Sequence, residues 1–169
     1  MIAETNSTSP LLSLAAIQAI IDRSPFNRWL GMTAESVDAD KIVLRIRWRE
    51  ELISSPERQS THGGVLATLI DGSCDYAIAA RLGRPVPTIG LRTEYHQVAT
   101  PGDLLAHARV VHMGSTIATA DAIVTDMNGK LIASGRGQYM VRSSATRPPD
   151  EGLVGPTDGT QVRHLPCCE

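Results

Sequence analysis

Between Ser60 and Ala77 the chain reads STHGGVLATLIDGSCDYA. Two local preferences are broken there within ten positions. Glycines at a helix start cost conformational entropy, and an aspartate inside an apolar helix needs a partner if it is buried. Departures of this kind gather where chemistry is done. Gly63 and Gly64 leave backbone N–H groups at the positive end of a helix dipole, with no side chain to block a ligand. That is a donor site for a carbonyl oxygen gaining negative charge. His62, directly before them, can fix the loop or join in polarising the carbonyl. Asp71 supplies the complementary group, a carboxylate able to act as base or nucleophile.

Helical geometry then decides how these groups can meet. At about 100° per residue, Asp71 lies within about 20° of Gly64 and shares a face with Thr68 and Asp75. Val65, Leu66, Leu69 and Ile70 flank that face, so Asp71 sits at the edge of an apolar stripe. It also lies eight residues beyond Gly63, about 12 Å along the axis. A carboxylate cannot attack a carbonyl held that far away on its own helix. If both groups serve one reaction, they come from two chains, with antiparallel helices around a two-fold axis. The same residues also have plain structural readings. The glycine pair can be a tight turn, His62 a cap, and Asp71 a satisfied structural acid. Asp75 reads as a solvated or capping group.

The elements that must hold this stretch are legible from periodicity. Val65 to about Leu82 is one long, largely apolar helix ending near Gly83. Ser9-Pro10 reads as a cap with Pro at the first helical position, followed by Leu11, Leu14, Ile17 and Ile21 at helical spacing, with Ser24-Pro25 closing the segment. From Ile42 the period becomes two, and Gly31–Asp38 is the hairpin partner of that strand. Residues 51–61 are polar, contain Pro56 and read as a loop. Thr88–Gln97, Leu104–Met113, Thr116–Met127 and Leu131–Val141 read as strands, with Asn128-Gly129 a hairpin turn. The predicted class is α+β: an antiparallel sheet of about five or six strands wrapped around one long central helix. Residues 1–8 read as a disordered N-terminus, 9–142 as the folded domain with its N-terminal helix, and 143–169 as a flexible tail.

Composition bounds the function classes. The chain has 169 residues, 42% hydrophobic and 20% charged, enough for a packed core. A net charge of −2 gives no reason to expect nucleic acid as a partner. Cys74, Cys167 and Cys168 make neither a disulfide framework nor a metal-binding spacing, which predicts a reducing cytoplasm and no metal. The apolar run Leu11–Ile21 is too short to span a bilayer and has no basic face, so no membrane partner is predicted.

His62-Gly63-Gly64 followed by Val65-Leu66-Ala67-Thr68-Leu69-Ile70-Asp71 resembles the signature of the PaaI-like hotdog-fold acyl-CoA thioesterases. The likeness continues through TIGLRTEYHQVATPGD (Thr88 to Asp103) and ARVVHMGSTIATADAIVTDMNGKLIASGRGQYMV, covering residues 30–142. The resemblance implies a hotdog fold, acyl-CoA as substrate, no cofactor, and a homodimer or homotetramer with sites shared between two subunits. It implies that the Gly63 N–H polarises the thioester carbonyl and that Asp71 of the partner subunit is nucleophile or general base. His62 would support the loop and thioester binding, and Gly64 and Thr68, on the helix face shared with Asp71, are further substrate-binding candidates. Thr88 falls where the family has a hydroxyl that orients water, and Ser115, in the Gly114-Ser115-Thr116 turn, where it contacts the CoA nucleotide. One departure stands out. Pro56 occupies the position, six before His62, where the family often has an Asn or Gln to place water; Gln59, Ser54 and Ser55 are the nearby polar substitutes.

Three functions compete on this pattern. The first is acyl-CoA hydrolysis. The second is a non-catalytic acyl-CoA-binding module on the same fold, which Pro56 motivates. The third is a hotdog dehydratase, which the lack of a His-Phe-Pro-Gly pattern disfavours. Arg81, Arg84, Arg109 and Arg136 are candidates for CoA phosphates or ordinary surface charges.

Overall fold

The computed structural model describes residues 11–39 and 41–142. The calls on 1–8, on Ser9-Pro10 and on 143–169 therefore lie outside the described residues. Helix α1 runs Leu14–Arg23, α2 Pro25–Leu30, and the long α3 Gly63–Leu82. The strands are β1 Met32–Val37, β2 Ile42–Ile46, β3 Ile53–Ser55, β4 Ser60–Thr61, β5 Thr88–Tyr95, β6 Leu104–Met113, β7 Ile117–Asp126 and β8 Leu131–Met140. A single antiparallel sheet has the order β1-β2-β6-β7-β8-β5, while β3 and β4 form a separate two-stranded hairpin. The predicted α+β hotdog architecture is what forms.

The sheet can wrap α3 because its inner face is built from small residues. Ala106 and Ala108 on β6, Ala118, Ala120 and Ala122 on β7, and Ala133 on β8 are all buried. On β6 and β7 they recur at every second position, the strand period, so each of these strands presents a row of methyl groups to the helix, and β8 continues the face with Gly135 and Gly137. Against them α3 packs Leu66, Leu69, Ile70, Cys74 and Ile78. Close approach lets α3 pack across β2, β6, β7, β8 and β5, while α1 covers β1. Gly83 ends α3 in the left-handed conformation (φ 77°), its N–H reaching back to Ala79 O.

Two local readings are corrected. Helix α1 is capped by Ser13, which accepts the Ala16 N–H, so the helix starts after Leu11. Leu12 instead donates its N–H to Ala80 O, tying the entering chain to α3. Ser24-Pro25 closes α1 and also opens α2: Ser24 accepts the Asn27 N–H, and Pro25 takes the first turn, where its missing N–H costs nothing. Residues 51–61 are a short hairpin rather than an open loop. It is closed by His62 N–H to Leu52 O and anchored by Thr61 N–H to Ala99 O, a long-range bond that local pattern does not display. Among the described residues no helix is long and apolar enough to cross a membrane.

Candidate active site

The start of α3 has one unclaimed donor. His62 is the N-cap, and its Nδ1 accepts the Gly64 N–H at 2.9 Å. With Nδ1 accepting, the neutral ring carries its proton on Nε2. The Val65 N–H is bonded to His62 O. The sequence predicts two free N–H groups here; the structure leaves Gly63, whose N–H has no acceptor among the described residues. Gly64 thus serves the loop, and a Cβ there would sit 2.9 Å from His62 Nδ1. Tyr95, at the far end of β5, donates its hydroxyl to Gly63 O at 3.1 Å and braces this turn.

Two clefts flank the helix start. One, of about 330 Å³, is lined by Thr61, Gly63, Leu66, Tyr95 and Val98. The other, of about 370 Å³, is lined by Phe26, Trp29, Leu52, His62, Gly64 and Thr68. The Thr68 hydroxyl is turned onto Gly64 O at 2.9 Å.

Asp71 occupies a separate place on the same chain. Its Oδ1 accepts from the Thr88 hydroxyl at 3.0 Å and lies 3.0 Å from the Tyr139 hydroxyl. Tyr139 also lies 2.9 Å from Asp71 O, so its single proton is shared between main chain and side chain of one residue. No hydrogen bond joins Asp71 to Gly63, in keeping with their separation along the helix. Asp75, one turn on, accepts the Val86 N–H at 2.8 Å, and burial pushes its carboxyl up to about 7. It caps the segment entering β5 and is not a solvated group.

The remaining candidates scatter. Ser115 is exposed in the β6–β7 turn, with no contact to Gly63 or Asp71. Arg136 is paired with Asp121 on the outer face of the sheet, while Arg81 and Arg84 donate to the carbonyls of Ala39 and Val141. Pro56 is exposed in the β3–β4 turn. Of its polar neighbours, Ser54 bonds Ser60 and Ser55 bonds Glu57, leaving Gln59, which adopts a positive φ of 48°.

Tyr139 is the partner of Asp71 that sequence reasoning misses. It is fully buried on the inner face of β8, two positions from Gly137. A Cβ on Gly137 would overlap the Tyr139 ring and hydroxyl, and one on Gly135 would lie 2.8 Å from Ile70 of α3. The glycines therefore admit both the helix and the tyrosine. The spacing Gly135-x-Gly137-x-Tyr139 carries that signal.

Comparison with known proteins identifies the family. The thioesterase superfamily matches residues 59–133. A Halobacterium salinarum protein named as a candidate esterase is 36% identical over 138 residues, covering 75% of this chain and 91% of its own. A solved crystal structure from the thioesterase superfamily is 56% identical with a TM-score of 0.75, covering 76% of this chain and 98% of that one. Thioesterase superfamily member 2 of zebrafish is 31% identical with a TM-score of 0.68, covering 76% of this chain and 98% of its own. The reaction class these relatives share is hydrolysis of thioester or ester bonds, and the chain belongs to the thioesterase superfamily.

Proposed function

We propose that the protein is an acyl-CoA thioesterase of the PaaI-like branch, working as a homodimer with two shared sites. The Gly63 N–H polarises the thioester carbonyl, and Asp71 of the second copy activates water or attacks directly. A thioester needs only these two functions, carbonyl polarisation and an oxygen nucleophile. His62 holds the helix start in shape, and Thr88 orients Asp71.

One observation carries the reading. The two halves of the site are tethered to opposite ends of β5: Thr88 contacts Asp71, and Tyr95 contacts Gly63. Strand β5 is the edge of the sheet and leaves Ile89, Leu91 and Tyr95 exposed at 48%, 36% and 56%. Such an edge invites pairing with another strand. Antiparallel pairing of β5 with a second β5 brings Thr88 of one chain beside Tyr95 of the other. The same operation carries each Asp71 toward the other chain's Gly63, and the two-fold axis makes two equivalent sites.

The binding-module reading rests on Pro56, together with the engagement of Ser54 and Ser55 in their own hairpin. Thiol release from a panel of short, medium, long and aromatic acyl-CoAs separates the two. Wild type is expected to turn over one class, and Asp71→Asn to lose about 10²–10⁴-fold, the range for a general base. Full activity in Asp71→Asn ends the proposed role. Binding without turnover by folded dimeric wild type supports the module.

A further inference from the structure

Asp71 is contacted unevenly, and the asymmetry is informative. A carboxylate on a two-fold terminal torsion has no intrinsic preference for which oxygen faces a substrate. Here both hydroxyl donors reach the same atom: Thr88 Oγ1 and the Tyr139 hydroxyl each lie 3.0 Å from Oδ1. Oδ2 has no hydrogen-bond partner among the described residues. We infer that Tyr139 is a positioning residue: with Thr88 it holds Asp71 by Oδ1 and leaves Oδ2 as the oxygen that acts. The inference rests on the thioesterase reading above.

The surroundings of Tyr139 suit that task. The ring is fully buried and its place is reserved by Gly137. Its second contact, 2.9 Å to Asp71 O, ties the phenol to the helix main chain at the residue it orients. A hydroxyl that grips both parts of one residue limits the helix position and the side-chain rotamer together. Burial pushes the phenol's pKa well up, so the group keeps its proton and remains a donor. Thr88 comes from β5 and Tyr139 from β8, neighbouring strands in register at these two residues. The carboxylate is therefore gripped from two strands, and its orientation follows the sheet rather than the flexibility of the side chain.

The test measures kcat and KM for Tyr139→Phe, Thr88→Val and Asp71→Asn, and for Tyr139→Phe in the Asp71→Asn background. Tyr139→Phe keeps the ring and removes the donor. It is expected to lower kcat about 10- to 100-fold, the scale for a hydrogen bond to a charged group, with KM changed less than about twofold. In the Asp71→Asn background the same change is expected to leave the residual rate alone, because there is no longer a carboxylate to aim. A merely structural lesion would lower that rate too. In a crystal structure of Tyr139→Phe, the Asp71 carboxylate is expected to have rotated. Wild-type kcat in Tyr139→Phe, with Asp71→Asn inactive, overturns the inference and leaves the thioesterase reading standing. Full activity in Asp71→Asn overturns both. Should Tyr139→Phe fail to fold, a wild-type crystal structure with a bound substrate analogue decides: the Tyr139 hydroxyl on Oδ1 with Oδ2 facing the analogue supports the inference, and Oδ1 facing the analogue overturns it.

Discussion

Replacing Gly137 by alanine adds one methyl group, and that methyl falls inside the Tyr139 side chain. The added Cβ would lie 2.6 Å from Tyr139 Cζ and closer still to Cε2 and the hydroxyl oxygen. Either the ring or the strand must shift. The ring is fully buried and cannot swing into solvent. Overpacking of this kind costs about 1–3 kcal/mol. A displaced ring also forfeits the hydroxyl's bond to the Asp71 carboxylate, about 1.5–3 kcal/mol for a charged acceptor. Restricting the unfolded chain returns about 0.4–1 kcal/mol. The expected net loss is about 1.5–5.5 kcal/mol, or a fall in melting temperature of at least about 3 °C for a chain of this size. Urea denaturation measures it, with Gly72→Ala as the internal comparison. A Cβ on Gly72 would lie 3.2 Å from Met32 Cε, the free end of a flexible side chain, in mid-helix where alanine is favoured by about 1 kcal/mol. Gly72→Ala is expected to be neutral or stabilising. Equal effects at the two glycines, or a loss below about 0.5 kcal/mol at Gly137, would refute the claim that Gly137 exists to house Tyr139.

Two further perturbations probe the pH response and the assembly. Burial raises the Asp75 carboxyl from its ordinary 3.8 to about 7, so the folded chain holds a proton that the unfolded chain releases. Its contribution is fully present below about pH 4 and lost as pH rises through about 7. Asp75→Asn keeps an acceptor for the Val86 N–H; its stability is expected to match wild type at acid pH and to exceed it above pH 7 by on the order of 2–4 kcal/mol. Denaturation curves at several pH values check this, and a constant difference across the range counts against it. Leu91→Glu places a charge on the helix-facing side of the edge strand β5, at a side chain that is 36% exposed. Light scattering is expected to show a folded monomer and the thiol-release assay no turnover, because a lone chain holds only unmatched halves of the site. An active Leu91→Glu dimer would remove β5 as the shared edge.

The fold is legible in the sequence where local pattern and tertiary structure ask for the same residues. Alternating alanines in β6 and β7 mark the inner face, Asn128-Gly129 marks a turn, and Gly83 marks the end of α3. Legibility fails where one residue serves two elements. Ser24 closes α1 and caps α2, and a stop signal followed at once by a start reads as a stop alone. The β3–β4 hairpin fails for another reason. Its strands have three and two residues, too few for a period to show, and its anchors to Leu52 and Ala99 are main-chain bonds that no side-chain pattern records.

The site divides along a similar line. Asp71 and Gly63 stand out because each violates the preference of the helix that carries it. Tyr139 violates nothing: an inward aromatic on a β-strand is what a strand prefers. What sets it apart is the company of Gly135 and Gly137 on its own face, where a strand built only for packing would carry larger side chains. Gly135 leaves room for the Arg92 carbonyl of β5 and for Ile70 of α3, and Gly137 lets Tyr139 lie beneath the helix and reach Asp71. The residue that attracts attention in α3 is thus held by a residue that attracts none in β8. Because Thr88 and Tyr95 tie the two ends of β5 to Asp71 and Gly63, the distance that keeps these groups apart on one helix is the length that a two-fold pairing of β5 would span.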